Sequence, residues 1–360
     1  MSEQLPFLTM SQEQNRGKLE LELLGSPEVW LDGQHVLIWW GWMLIRLGRL
    51  DQAEVMLQQC GDLYRQLDLP AIPGFGTDPA LPLSLIATIR GDYPLALQYG
   101  QQARRESEAH RHQPNLCMAY YALASAAFGQ GHYQPARHYA QQAYTLAQQR
   151  DDRWFMAYCL NLLGECALAL GDVTVAQHHV DASYRLRQDF NDPEGMAVAL
   201  NHLGKIALVQ KHYERAQQLY QKSLDVYQKI LDKGGLAQAY QGLGTAASRQ
   251  GDIQKAQQQL HQALQLAAEI QFVPLMVSIL KAIGELLLKS NRPEYGLKVL
   301  AFVRQHTASD HATQAEAQQI LDRYRTEAGK EKTDLLAAAQ AYAENRTLQD
   351  VVAEVLAEAV

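Results

Sequence analysis

Residues 197–227, AVALNHLGKIALVQKHYERAQQLYQKSLDVY, show the pattern that decides the fold of this chain. Before Lys211, small and apolar residues recur at spacings of three and four, the periodicity of one face of an α-helix. The same spacing returns after Tyr213 and continues to Tyr227. The stretch therefore predicts two amphipathic helices joined by a tight turn.

The turn and its flanking small residues recur along most of the chain. The predicted turns lie 43 residues apart at first and 40 apart afterwards, at Gly48, Gly91, Gly131, Gly171, Lys211, Gly251 and Asn291. A small residue precedes each turn by seven positions: Gly41, Ser84, Ala124, Gly164, Gly204, Gly244 and Gly284. Another follows by five: Ala53, Ala96, Ala136, Ala176, Ala216, Ala256 and Gly296. Small residues let two helix backbones approach where they cross, and one hairpin cannot bury its apolar face alone, so neighbouring hairpins must stack.

The motif formed by Leu163, Gly164, Ala167, Gly171 and Ala176 resembles a tetratricopeptide repeat. The usual period of that repeat is about 34 residues, and the longer period here is similar to MalT-like regulators, kinesin light chains and Leu-Gly-Asn polarity scaffolds. The resemblance implies an all-α, right-handed superhelical solenoid of antiparallel helix pairs, with seven repeats over residues 36–308. The extra residues are expected to lengthen both the helices and the connections between pairs.

The two ends depart from the repeat. In residues 1–35, alternation over Lys18–Gly25 and Glu28–Val36 resembles the opening strands of the winged-helix domain of SARP-type activators; the alternative is one more helix over residues 8–24. Residues 69–80, rich in proline and glycine, predict a loop. Residues 309–360 predict a helical cap, with helices over 312–327 and 333–344 and a last helix through Ala359.

Thr347 and Asp350 have the spacing of a capping box that opens this last helix. The sequence of the tail, from Glu344 to Leu348 and then Val351, Val352 and Leu356, is similar to the C-terminal ends of bacterial STAND-type regulators. That resemblance implies the C-terminal sensor region of a STAND- or SARP-type transcriptional regulator.

Composition and motifs argue for binding rather than catalysis. The net charge of -7 argues against direct nucleic-acid binding, and the residues of a DNA reader do not follow the predicted strands. The four cysteines lack C-x-x-C spacing, and no signal peptide or membrane-spanning run is evident, so we expect a cytoplasmic protein. No phosphate-binding loop or catalytic motif appears. We therefore predict no enzyme activity, no cofactor and no metal site.

The resemblance implies that the first helix of each pair lines a concave groove. Rows three residues before, one after and six before the small column supply the candidate site: Tyr121, Tyr158, Asn161, Glu165, Asn201, Lys205, Gln241, Thr245 and Lys281. In peptide-binding relatives, asparagines at the positions of Asn161 and Asn201 clamp the ligand backbone, since an amide both donates and accepts. The alternatives are that these asparagines are merely solvated, and that Glu165 and Lys205 pair with each other.

Two functions remain open on this evidence. One is a module that binds a protein or peptide partner in signalling or transcriptional regulation. The other is a sensor for a small molecule such as a sugar or metabolite, which Tyr121, Tyr158 and Glu165 would allow by offering stacking faces beside a carboxylate. A remnant without a role of its own is the third possibility, and the oligomeric state is not determined.

Overall fold

The computed structural model describes residues 33–66, 78–290, 292–326 and 330–357. Seven consecutive helix pairs span most of this range: α1 Gly33–Arg46 with α2 Leu50–Gln66, α3 Ala80–Arg90 with α4 Tyr93–Ala109, α5 Gln113–Gly129 with α6 Tyr133–Gln149, α7 Arg153–Ala169 with α8 Val173–Asp189, α9 Pro193–Val209 with α10 Tyr213–Ile230, α11 Lys233–Gln250 with α12 Ile253–Glu269, and α13 Val273–Lys289 with α14 Pro293–Gln305. Three further helices follow: α15 His311–Thr326, α16 Lys330–Glu344 and α17 Leu348–Ala357. The predicted all-α, right-handed superhelical solenoid is confirmed.

Each of the first six turns inside a pair contains a residue in the left-handed conformation, and Asn291 of the seventh lies outside the described residues. Five are glycines, Gly48, Gly91, Gly131, Gly171 and Gly251, and the sixth is Lys211. The following residue is often an aspartate whose carboxylate accepts a backbone N–H of the next helix, as Asp172 does from Val175 at 3.0 Å. These turns are confirmed where the structure describes them, and each stops one helix and starts the next within three residues.

The connections between pairs from α4 to α13 are as short as the turns, so the prediction that the connections lengthen is wrong for this part of the chain. Three residues separate α4 from α5, and three residues separate α6 from α7. Each such connection contains its own left-handed residue: Arg111, Asp151, Asn191, Leu231 and Gln271. A left-handed residue reverses the chain without extra length, and the longer period is taken up by helices of about 17 residues.

The small column lies where the two helices of a pair cross. A Cβ added to Gly164 would lie 2.6 Å from Val180 Cγ2, and one added to Gly204 would lie 2.7 Å from Tyr220 Cζ. In both cases the contacted residue comes 16 positions later. The Ser84 hydroxyl of α3 donates to the Ala96 backbone carbonyl of α4 at 2.9 Å.

Curvature of the array puts the first helices on the inside. First helices of neighbouring pairs contact each other as well as their partners, from α3 with α5 to α11 with α13. Second helices of neighbouring pairs contact each other less. Helices on the inner side of a curved stack are closer together than those on the outer side. The first helices therefore line the concave surface, and the second helices form the convex one.

The superhelix is tight enough for early turns to touch late connections. A Cβ on Gly91 would lie 2.6 Å from Ala308 Cα, and one on Gly131 would lie 2.7 Å from His311 Cβ. Gly48 lies against Ile270 in the same way, with 3.4 Å from its added Cβ to the Ile270 Cα. The first three turns are thus in contact with the last connections, although more than 170 residues separate them along the chain.

The ends hold both corrections and confirmations. The predicted strand over Glu28–Val36 is wrong for residues 33–36, which form the first turn of α1. The reason is that their sequence continues directly into the apolar residues of that helix. The rest of the strand prediction, and the alternative helix over residues 8–24, lie outside the described residues. The loop predicted over 69–80 lies mostly on residues that are not described, and Ala80 already begins α3.

The capping box is confirmed: Thr347 N–H donates to Asp350 at 2.9 Å, and Asp350 N–H donates to the Thr347 hydroxyl at 3.2 Å. In the tail, α16 packs along α14 and α17 packs against α12, so these helices fold back on the array. None of the described helices has the length and apolar character needed to cross a bilayer.

Candidate functional site

The candidate residues lie at the seams between successive first helices. Gln241 Nε2 donates to the Ser278 hydroxyl of the next first helix at 2.8 Å. Three pairs earlier, the rings of Tyr121 and Tyr158 meet edge to face, with centroids 6.4 Å apart. The row three residues before the small column therefore faces the row six before it in the next pair, on the concave side of the array.

Asn161 and Asn201 occupy this row, and both are buried. Their exposed fractions are 4% and 7%, so the alternative that they are merely solvated is wrong. Neither amide atom of Asn161 has a hydrogen-bond partner within the described chain, and neither has Nδ2 of Asn201. The Asn201 Oδ1 accepts from the Ser223 hydroxyl. A buried polar group without a partner costs about 1–3 kcal/mol, so two at equivalent positions in successive repeats call for an explanation.

Glu165 and Lys205 form an ion pair across neighbouring repeats, with 3.3 Å between Nζ and Oε1. His202 Nδ1 lies 3.7 Å from the same carboxylate oxygen. Burial alone would raise the pKa of Glu165, but Lys205 and then His202 bring that pKa below its ordinary value. Glu165 in turn raises the pKa of Lys205. The predicted pairing is confirmed, and it neutralises both charges within the groove.

An aromatic cluster lies beside the asparagines. Trp154 is 45% exposed, and its ring centroid is 4.6 Å from that of Tyr158. Phe155 is buried in the core next to Tyr121. Sequence reasoning missed Arg187 of α8, whose guanidinium stands 4.2 Å from the Tyr158 ring centre and contacts Asp192 at 2.5 Å. Arg187 has no counterpart in the repeat pattern. The one signal in the sequence was an arginine at a position where the neighbouring repeats have none.

The remaining candidates are held by other contacts. The Thr245 hydroxyl donates to the Gln241 carbonyl of its own helix at 2.8 Å. Lys281 pairs with Glu316 of α15. The structure thus places Tyr121 against Tyr158 at the seam between α5 and α7, and Glu165 against Lys205 at the seam between α7 and α9, while the tail engages Lys281. Asn161 and Asn201 lie on α7 and α9.

The four cysteines, Cys60, Cys117, Cys159 and Cys166, are free and buried. Across the described ranges, no three or more His, Cys, Asp or Glu side chains group in a way that would hold a metal ion.

Family models recognise the repeats. A tetratricopeptide repeat model matches residues 155–229 and 195–269, and another matches residues 119–150. The chain therefore carries tetratricopeptide repeats over its central part. No curated protein matches its sequence.

Solved structures share the fold at low sequence identity. A Rap protein complexed with Competence and Sporulation Factor is 16% identical, with a TM-score of 0.57 over 90% of this chain and 99% of that one. NprR in complex with its cognate peptide NprX is 11% identical, with a TM-score of 0.57 over 90% of this chain and 96% of that one. The Cut9–Hcn1 heterotetramer of the APC/C gives 18% identity and a TM-score of 0.54, over 83% and 48%. At such identities the likeness shows the fold alone.

Proposed function

We propose that this protein binds a peptide or an extended segment of a partner protein along its concave surface. The observation that carries the proposal is the pair of buried asparagines at equivalent positions of neighbouring repeats: both amide atoms of Asn161, and Nδ2 of Asn201, lack a hydrogen-bond partner among the described residues. A peptide main chain offers a carbonyl and an N–H at each residue, which are the acceptor and donor that an amide side chain requires. Because both side chains are buried, they would have to turn into the groove to meet such a chain, and binding would then remove a desolvation cost that the folded chain otherwise bears.

The site also fits the chemistry of a peptide in its other features. Glu165 and Lys205 neutralise each other, so the seam presents amides and aromatic rings rather than a strong net charge. Of the structures with a TM-score of 0.57, the Rap protein is in complex with Competence and Sporulation Factor, and NprR is in complex with its cognate peptide. We extend this to a role in signalling or transcriptional regulation in the cytoplasm, as a relative of STAND- or SARP-type regulators without catalytic activity of its own.

The test compares the native chain with an Asn161→Ala, Asn201→Ala double variant as bait in cell lysate, followed by mass spectrometry of captured proteins, peptides and small molecules. Gln188→Ala, an exposed change on α8, is the matched control. The double variant should retain thermal stability, since Asn161 makes no hydrogen bond and the Ser223 hydroxyl keeps the Tyr220 carbonyl as an acceptor at 3.2 Å. A peptide or protein captured by the native chain and the control, but lost from the double variant, supports the proposal. Capture that is equal for all three chains refutes the assignment of the groove.

The exposed ring of Trp154 beside Tyr158 favours a second candidate, a small-molecule sensor. Aromatic faces next to an amide and a carboxylate suit a sugar or a similar polar metabolite. In the same experiment, a metabolite released from the native chain, with no captured peptide, would favour this function. Trp154→Ala would then abolish its retention, while peptide capture would depend mainly on the asparagines.

A further inference from the structure

A second groove lies on the opposite, convex side of the array, between α6 and α8. Its volume is about 520 Å³. One wall comes from α6, at helical spacings of three and four: Gln134, Arg137, His138 and Gln141. The other wall is formed by Val175 and His179, one turn apart on α8, and Leu163 of α7 forms the floor. The groove thus runs along the two second helices and opens away from the asparagines.

The lining combines the apolar side chains of Leu163 and Val175 with one cationic side chain, Arg137, and two histidines. Leu163 is almost completely buried, whereas Val175 is 40% exposed at the rim. Arg137 and His138 are exposed and have no ion-pair partner in the part of the chain that the structure describes. His179 Nδ1 is buried and accepts or donates no hydrogen bond to any described residue. No carboxylate lines the groove, and α6 contains no aspartate or glutamate over its whole length.

The same positions in the next two repeats do not repeat this chemistry. Forty residues later, Arg137 is replaced by Gln177 and Gln141 by Asp181, which accepts from Gln177 at 2.9 Å. Eighty residues later, the equivalents of Gln134 and Arg137 are Glu214 and Gln217. The solenoid packing does not require this lining, since the neighbouring repeats stack without it. The arginine of this groove is therefore not shared by the next two repeats.

We propose that the groove between α6 and α8 is a docking surface for an acidic, amphipathic segment of a partner protein. Apolar side chains of that segment would cover Leu163 and Val175, its carboxylates would meet the Arg137 guanidinium, and the imidazole N–H groups of His138 and His179 could donate further hydrogen bonds. The chain as a whole carries a net charge of -7, so an acidic segment is repelled overall and needs a local positive charge without a neighbouring carboxylate, such as Arg137, to bind. The site is separate from the concave surface of the proposed function, and one chain would therefore engage two partners at once.

The experiment uses fluorescence anisotropy with a labelled synthetic peptide that carries glutamate and leucine at helical spacing, and a counterpart with lysine in place of every glutamate. The full chain should bind the glutamate peptide at least tenfold more tightly than the lysine peptide. Arg137→Glu should weaken that binding at least tenfold. Arg185→Glu, the same charge change at an exposed position of α8 outside the groove, should alter it less than twofold.

Thermal unfolding of both arginine variants checks that each is folded, and the exposure of both side chains makes loss of the fold unexpected. The Asn161→Ala, Asn201→Ala variant should bind the glutamate peptide like the native chain, which separates this surface from the concave groove. No measurable binding to the native chain overturns the proposal. Equal loss in the two arginine variants, or loss in the asparagine variant, overturns it as well.

Discussion

Replacing Gly91 with alanine tests whether the superhelix closes on itself. Gly91 has a φ of 76°, and an added Cβ would lie 2.6 Å from the Ala308 Cα. Gly171 has a similar φ of 87°, but an added Cβ meets nothing within 4 Å. Both substitutions place an L-residue in the left-handed region, at a cost of about 1–2 kcal/mol. Only Gly91→Ala adds a collision, for which about 1–3 kcal/mol is typical in a close-packed contact.

Gly171→Ala should therefore lower the free energy of unfolding by about 1–2 kcal/mol, and Gly91→Ala by about 2–5 kcal/mol. Urea unfolding followed by circular dichroism measures both, and hydrogen exchange locates the effect. Faster exchange near Ala308 in Gly91→Ala, but not in Gly171→Ala, would show that the contact between early turn and late connection has opened. Equal losses of stability, with unchanged exchange near Ala308, would refute the closure.

Other positions give further predictions. Gly204→Leu should lower stability by about 3 kcal/mol or more in a thermal melt, because its Cβ alone would lie 2.7 Å from Tyr220 Cζ; a change below 1 kcal/mol would contradict the crossing. Leu231→Asn should raise the unfolding free energy by about 1 kcal/mol, since Leu231 has a φ of 57° and is 80% exposed; a loss of stability would show that its side chain has a partner. Burial raises the pKa of the Cys60, Cys117 and Cys166 thiols to about 12. At pH 8 their thiolate fraction is therefore roughly a thousandfold below that of an exposed thiol. Alkylation of these thiols should need denaturant, and rapid labelling of the native chain would contradict their burial.

The candidate site was only partly predictable. The repeat placed Asn161 and Asn201 on equivalent faces, because equal spacing along identical helices fixes equal orientation. It did not show that both amides are buried without partners, since burial depends on the curvature that brings neighbouring first helices together. The Glu165–Lys205 pair was foreseeable as 40-residue neighbours. Arg187 was not, because its partners Tyr158 and Asp192 come from different elements.

The sequence by itself determined the helices, their turns and their pairing, because these depend on local periodicity and on contacts between residues that are close along the chain. The size match at each crossing, as between Gly204 and Tyr220, is also local, at a separation of 16 residues. Only the tertiary structure decided how tightly the array curves. Small rotations at each pair add over seven repeats, and their sum brings Gly91 against Ala308 and leaves the groove beside Arg137 open between α6 and α8. No short stretch of sequence encodes that sum, because it arises from packing angles set jointly by all the interfaces.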